Sequence, residues 1–347
     1  MTDGGGTFLD PVRDLHDEDT YLRLLNAMPV MLWTADVQGR WQHINRRWAD
    51  YTGLVGEAAG FGFEEALHPD DRAPTLARWR QAVGQGQNYE IEYRIRDRGG
   101  LYRWFLTRGV RVRDEAGNGV AWVGTCTDIQ AQKSAEQDTA STREAALRAL
   151  TLALEVRDRE TSNHTERVTA LALQLGTALG LTPETLGHLR LGASLHDLGK
   201  MMIPDRILRK PGPLTQGERT EMQRHSAEGE RLASALEFVP EPALQLVRHH
   251  HEHWDGGGYP DHLRAEAIPY LARVFAIIDV YDALLSRRPY KEAWSQDEAL
   301  GELRALAGRQ LDPQMVEVFM QLAQEQADMP PGAGEPDETG HAAGGTL

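Results

Sequence analysis

Between Glu160 and Asp282 the chain gathers imidazoles and carboxylates where packing alone gives no reason for them. His250, His251, Glu252 and His253 run together, followed by Trp254, Asp255 and then Gly256-Gly257-Gly258-Tyr259-Pro260. Upstream stand the dyad His196-Asp197, with Leu198-Gly199-Lys200 after it, and His225; downstream Asp279 interrupts an apolar run that begins at Val274. A lone histidine on an apolar helix is ordinary core or surface. Adjacent histidines, a His-Asp dyad and a carboxylate among aliphatics are not, and a bound ion removes the cost of burying that carboxylate unpaired. The only cysteine, Cys126, is far away in sequence, so the donors are imidazole and carboxylate, a set suited to iron, manganese or zinc. The chemistry expected is hydrolysis at a site holding more than one metal ion.

Helices must carry these residues. From about Ala145 to Gln326 no alternating apolar run of strand length occurs, and helix punctuation is legible throughout. Thr182-Pro183 opens one helix with a cap and a first-turn proline. Thr215 with Glu218, and Ser295 with Glu298, fit capping boxes, and Asp312-Pro313 opens the last helix. His196 and Asp197 end an apolar helix whose close is marked by Gly199. His225 falls inside the helix opened by Thr215, and His250 and His251 end one beginning near Pro242. Glu160 and His164, four apart, share a face if the helix is continuous.

The N-terminal part reads differently. Strands are expected at Met31–Asp36 and Trp41–Asn45, with Asn45 capping a short helix that carries Trp48 and Tyr51. A longer helix is expected over Arg72–Val83, after the loop His68-Pro69-Asp70-Asp71. Tyr89–Arg96 alternates strictly between apolar and charged residues, and two further strands, Tyr102–Val112 and Ala121–Ile129, follow turns at Gly99-Gly100 and Ala116–Gly119. The result is a half-covered antiparallel sheet. Gln130–Arg157 is a helix without Pro or Gly, with Leu147, Leu150 and Leu154 on one face. Two readings of it stand side by side: a signalling helix pairing with its twin in a parallel dimer, or a linker whose last turns dock on the next domain.

The expected layout is thus a flexible leader (1–18), an α+β sensor domain (20–130), a helical linker (131–146), an all-α domain (147–326) and a disordered acidic tail (327–347). No apolar run has membrane-spanning length and no basic-then-apolar start is present, so a cytoplasmic protein with no membrane partner is expected. A single cysteine excludes an intrachain disulfide. The net charge of −15 argues against nucleic acid as a partner, but bound metal can reverse the sign locally and admit a small anionic substrate.

The stretch Asn45–Gly53, the His68–Asp71 loop and Gly124–Ile129 resemble a PAS domain with its C-terminal PAC part. Members of that family bind haem, flavin, small metabolites or nothing, so the sensor ligand stays unassigned. His68 is read as a loop histidine starting a helix rather than a haem ligand, and Cys126 as a strand residue rather than a flavin-reactive thiol. The helical region resembles the HD-GYP family, metal-dependent phosphodiesterases acting on cyclic di-GMP. The matching motifs are His196–Lys200, Ile203-Pro204, His225, His250–Glu252, Gly258–Pro260 and Asp279 through Lys291.

That resemblance implies His196, Asp197, His225, His250, His251 and Asp279 as metal ligands, with Asp197 the bridge. It also implies Glu160 and His164 as ligands of a third metal, so two or three divalent ions, iron or manganese. Lys200, Arg288 and Lys291 correspond to phosphate-binding residues, the Gly258-Tyr259-Pro260 loop to part of the substrate site, and Asp282 to a partner behind the ligands. The implied reaction opens cyclic di-GMP to linear pGpG or GMP, with paired metals ~3.5–4 Å apart supplying the hydroxide. A non-catalytic module that binds cyclic di-GMP, or docks a diguanylate cyclase through the Gly-Tyr-Pro loop, is the alternative; loss of a ligand would mark it, and none is lost. The sequence departs from the family at His262 and Ala265, where glycines are common.

Overall fold

The computed structural model describes residues 18–54, 62–158, 164–286 and 293–328. The chain divides into two compact units, Met1–Thr142 and Arg143–Leu347. Glu160, Arg288 and Lys291, like the leader and the tail, lie outside the described residues.

The first unit contains α1 (Glu18–Ala27), β1 (Met31–Ala35), β2 (Trp41–Ile44), α2 (Arg46–Thr52), α3 (Pro69–Gln85), β3 (Tyr89–Arg96), β4 (Tyr102–Arg113) and β5 (Gly119–Asp128). The strands form one antiparallel sheet in the order β2-β1-β5-β4-β3. Asn45 caps α2 as expected, its side-chain oxygen accepting from the Trp48 amide. The expected helix Arg72–Val83 is longer at both ends. Pro69 suits a first helical turn, and the His68 ring caps it by accepting the Asp70 amide at 3.3 Å, while left-handed Gly86 ends it. Trp33, Trp41, Trp48, Trp79 and Trp122 fill the core on one face of the sheet. Gly109 and Gly124, paired directly across β4 and β5, open the slot for Trp33: a Cβ on Gly124 would stand 2.2 Å from its ring. Cys126 is buried here with Thr107 Oγ1 bonded to its sulfur at 3.1 Å, and burial pushes the thiol up to about 12.

The second unit is helical among its described residues. α4 (Gln130–Asp158) enters it, followed by α5 (His164–Ala178), α6 (Pro183–Leu195), α7 (Asp205–Leu208), α8 (Gln216–Gln223), α9 (His225–Ser234), α10 (Glu241–His249), α11 (Tyr270–Leu285), α12 (Gln296–Leu306) and α13 (Pro313–Asp328). Both capping boxes form. α11 is the central helix, with Val274, Phe275, Ile277 and Ile278 buried in the main core; a smaller cluster around Leu195, Leu198 and Val247 receives Leu147 and Leu150 of α4.

Two expectations fail. His225 does not lie inside the helix opened by Thr215, because that helix stops at Gln223 and a new one starts at His225. The His225 ring takes the Met222 carbonyl and Ser226 Oγ takes that of Gln223, so side chains compete for acceptors that would continue the helical ladder. Gly199 does not mark the close of α6 either; α6 ends at Leu195 and Gly199 lies in a 3-10 turn, Leu198–Met202. Its missing side chain serves close approach instead. A Cβ there would stand 1.8 Å from the His225 carbonyl oxygen and 2.4 Å from the Gly229 nitrogen, so the turn and α9 touch backbone to backbone.

Candidate metal centre

Three of the histidines are held by one device. A helix leaves its last carbonyls without intrahelical partners. His196, just past α6, places Nδ1 2.8 Å from the Ala193 oxygen, and His250, just past α10, places it 2.8 Å from that of Val247. His225, at the break between α8 and α9, does the same with Met222 at 2.9 Å. Each carbonyl can only accept, so the proton sits on Nδ1 and the Nε2 lone pair faces the site.

The Nε2 atoms then meet other acceptors. His225 Nε2 and His250 Nε2 face each other at 3.4 Å. His196 Nε2 is buried without a hydrogen-bond partner, 3.1 Å from Asp197 Oδ2. Facing acceptors need a cation or a proton between them, so this donor set fits metal ions. Two groups of candidate ligand atoms lie within 4.8 Å: His225, His250 and His251 in one, His164, His196 and Asp279 in the other. Asp197 lies between them. Its Oδ1 is 3.4 Å from His225 Nε2 in the first group and its Oδ2 is 3.1 Å from His196 Nε2 in the second.

The electrostatics agree with this arrangement. Burial holds His250 and His251 well below the usual imidazole range, keeping their lone pairs available. Burial also drives the Asp279 carboxyl up, as expected for a charge set in an apolar helix. Asp197 moves the opposite way: burial opposes its charge, but Lys200 and His196 hold it well below its ordinary value. His196 is lowered by burial yet raised by Asp197 and Asp279 to about 9, so a proton answers the carboxylates there where no metal does.

Asp282, one turn beyond Asp279 on α11, supports the second group. Its Oδ2 accepts from His164 Nδ1 at 2.7 Å, and Arg167 Nε donates to its Oδ1 at 3.0 Å. The Gly258-Tyr259-Pro260 loop covers the first group. The Tyr259 ring lies 4.8 Å from that of His251, and a Cβ on Gly258 would come within 2.2 Å of the His253 nitrogen, so only glycine lets the loop close down. Glu252 anchors the segment after the loop, accepting the amides of Asp261 and Leu263 at 2.7 and 3.1 Å.

The comparisons agree with this geometry. An HD domain model matches residues 148–315 and a PAS fold model matches residues 42–126. The chain carries a PAS fold followed by an HD domain. Over 173 residues it is 47% identical to the cyclic di-GMP phosphodiesterase response regulator RpfG of Xanthomonas campestris, covering 49% of this chain and 46% of that one. A cyclic di-GMP phosphodiesterase of Thermotoga maritima is 40% identical over 53% of this chain and 50% of its own. The 3'3'-cGAMP-specific phosphodiesterase 2 of Vibrio cholerae is 39% identical over 49% of this chain and 33% of its own. The chain therefore spans half or less of the length of these relatives.

The HD domain brings together His164, His196, Asp197, Lys200, His225, His250, His251, Tyr259, Asp279 and Asp282, all read from the sequence. His249 stays apart, bonded to Asp261 at 2.9 Å. Sequence reasoning missed Arg157, Asp158, Arg167 and Phe275. Arg167 carries a signal in its spacing, three residues after His164 on α5 and so on the same face. Asp158 carries none, since its partner Lys200 is 42 residues away. Phe275, one turn before Asp279, packs its ring 4.8 Å from that of His196.

Proposed function

We propose that the HD-GYP domain hydrolyses the phosphodiester bonds of cyclic di-GMP, to pGpG or GMP, with two or three divalent ions, iron or manganese, and under control of the PAS domain. The observation that carries this is Asp197, one carboxylate oxygen toward each ligand group. His225, His250, His251 and Asp197 hold one ion in this reading, and His196, Asp279 and Asp197 the next; Glu160 and His164 add the third. Such ions supply a nucleophilic hydroxide at neutral pH and neutralise the phosphate. The protein's own residues do the rest. Lys200 meets a phosphate oxygen beside Asp197, Tyr259 shields the first group from water, and Arg288 and Lys291 hold the far phosphate. Burial keeps the imidazoles of His225, His250 and His251 neutral, and the Nδ1 bonds of His196, His225 and His250 to helix-end carbonyls turn their Nε2 atoms toward the site.

The non-catalytic alternative, a cyclic di-GMP-binding or cyclase-docking loop, gains no support from the ligand set, which keeps its histidines and both aspartates. No described helix is long and apolar enough to cross a membrane. On α4, Leu152 and Val156, four residues apart, are 61% and 70% exposed, which supports pairing with a second copy. Sedimentation of Leu152→Glu/Val156→Glu as a monomer, against a dimeric parent, tests that pairing.

The deciding experiment is anaerobic purification with metal analysis and turnover of cyclic di-GMP and 3'3'-cGAMP side by side. Asp197→Ala is expected to abolish hydrolysis and deplete bound metal while the helical signal is retained. Turnover by that variant at the parent's rate sinks the ligand assignment.

A further inference from the structure

The end of α4 grips the turn that carries Asp197 and Lys200. Arg157 Nη1 donates to the carbonyls of Lys200, at 3.0 Å, and Met201; Nη2 donates to that of Ile203 at 2.6 Å and to Asp205 at 2.9 Å. A guanidinium that places its donors on three main-chain oxygens of one turn fixes backbone rather than balancing charge. Next to it, Asp158 accepts from Lys200 Nζ at 2.8 Å, and the same ammonium stands 2.8 Å from Asp197 Oδ2. The helix is seated here by apolar contact too: Leu154 is buried, and Leu147 and Leu150 pack against the cluster of Leu195 and Leu198. The Arg157 carbonyl, left over at the helix end, accepts from Arg209 Nε at 2.8 Å.

We propose that Arg157 and Asp158 are positioning residues for the lysine that meets the substrate. Arg157 holds the backbone of the Leu198–Met202 turn, and Asp158 holds the Lys200 ammonium beside Asp197. An ammonium on a flexible four-carbon stem has no fixed place of its own, and a second carboxylate supplies one. α4 starts at Gln130, two residues after β5 ends at Asp128, so one helix joins the last strand of the PAS domain to this lysine. A change at the C-terminal turn of α4, by unwinding or rotation, therefore releases Lys200. Lys200's role toward substrate rests on the phosphodiesterase reading; its placement by Asp158 does not.

Two measurements test the proposal. The first uses metal-free protein and reads the rate of reductive methylation of each lysine by mass spectrometry. Lys200 is expected to label slowly in the parent and about ten to a hundred times faster in Asp158→Asn, the factor for losing a hydrogen bond between charged partners. Lys210, held by Glu218, is the internal reference and should not change. An unchanged Lys200 rate overturns the proposal. If Lys210 accelerates as well, the fold has loosened, and Arg157→Lys, which keeps the charge but not the fork, is read by the same criterion.

The second measurement is turnover in the metal-loaded full chain. Asp158→Asn and Lys200→Ala should each lower kcat/KM, and the double variant should be no slower than Lys200→Ala alone, with metal content equal in all three. A double variant slowed by the product of the two single losses shows that Asp158 acts elsewhere and overturns the assignment. A parent that hydrolyses no cyclic dinucleotide defeats the functional reading instead, and the labelling result still decides the positioning.

Discussion

Gly199→Ala is the smallest change that tests how the centre is built. The residue is neither a ligand nor left-handed, and one methyl group is added. That methyl would stand 1.8 Å from the His225 carbonyl oxygen, where real Cβ contacts essentially never fall below 3.0 Å. The obstacle is backbone on both sides, the His225 carbonyl and the Gly229 nitrogen, so no side chain can swing away. The turn and α9 must part, from 1.8 to at least 3.0 Å, an opening of about 1.2 Å. His225 is itself the residue displaced, and its Nε2 is 3.4 Å from both Asp197 Oδ1 and His250 Nε2. A shift of that size is more than half a metal–nitrogen bond of about 2.0–2.1 Å, so His225 and Asp197 could no longer share the proposed ion.

The expected outcome is loss of about one metal ion per chain and a fall in turnover of about 100-fold or more, the scale for a displacement of about 1 Å at a reacting centre. Overpacking should lower stability by about 1–3 kcal/mol in the metal-free protein. Gly217→Ala is the matched control. Its Cβ on α8 meets no atom within 4 Å, so the helix gains up to about 1 kcal/mol and the site is untouched. The assay is metal content by mass spectrometry after identical anaerobic loading, with turnover and thermal unfolding on the same preparations. Gly199→Ala with the parent's metal content and turnover would refute the reasoning, because no backbone contact would then hold Asp197 against His225.

Three further outcomes are expected. His262 and Ala265 have left-handed φ of 56° and 52°, so His262→Gly and Ala265→Gly should each stabilise by about 0.5–1 kcal/mol, read as a higher Tm; a lower Tm in both counts against strain in the loop. Arg248, helped by His249, holds the Asp261 carboxyl at about 2, below its ordinary 3.8, so its stabilising effect is full above pH 3.8 and is lost as pH falls through about 2. The Tm difference between parent and Asp261→Asn should shrink over that window, and a constant difference would exclude the ionic contribution. Glu160→Ala with His164→Ala should remove about one ion per chain and spare the others; equal metal content would leave the site dinuclear.

Much of this was legible in residue order because the relevant forces are local. Tyr89–Arg96 alternates apolar and charged residues, and β3 has those bounds. Thr215 and Ser295 cap the helices their spacing announces. The clustered candidate ligands were legible for the opposite reason, since adjacent histidines and a carboxylate among aliphatics make no sense as packing. What escaped was set by contact through space. Gly199 looked like a helix stop, but it is a clearance for the His225 carbonyl, and that requirement exists only once α9 lies against the turn. His225 looked like a mid-helix residue because nothing in the sequence says its ring will take the Met222 carbonyl. Asp158 and Lys200 are both ordinary surface types, and only the fold pairs them.

For the proposed function the overall charge is the remaining difficulty, since a chain at −15 would have to bind an anionic dinucleotide. The site answers it locally. The charge of Asp282 is met by Arg167 and that of Asp158 by Lys200, so the carboxylates behind and beside the centre are already balanced. The histidines of the first group are held neutral by burial and add no charge of either sign. With the two divalent ions of the proposed function, Asp197 and Asp279 would contribute about −2 against about +4, so the loaded centre would be positive where the proposed substrate's phosphate sits. Without the ions the same residues would repel it, apart from a proton on His196. On this account dinucleotide affinity tracks metal occupancy rather than the charge of the fold.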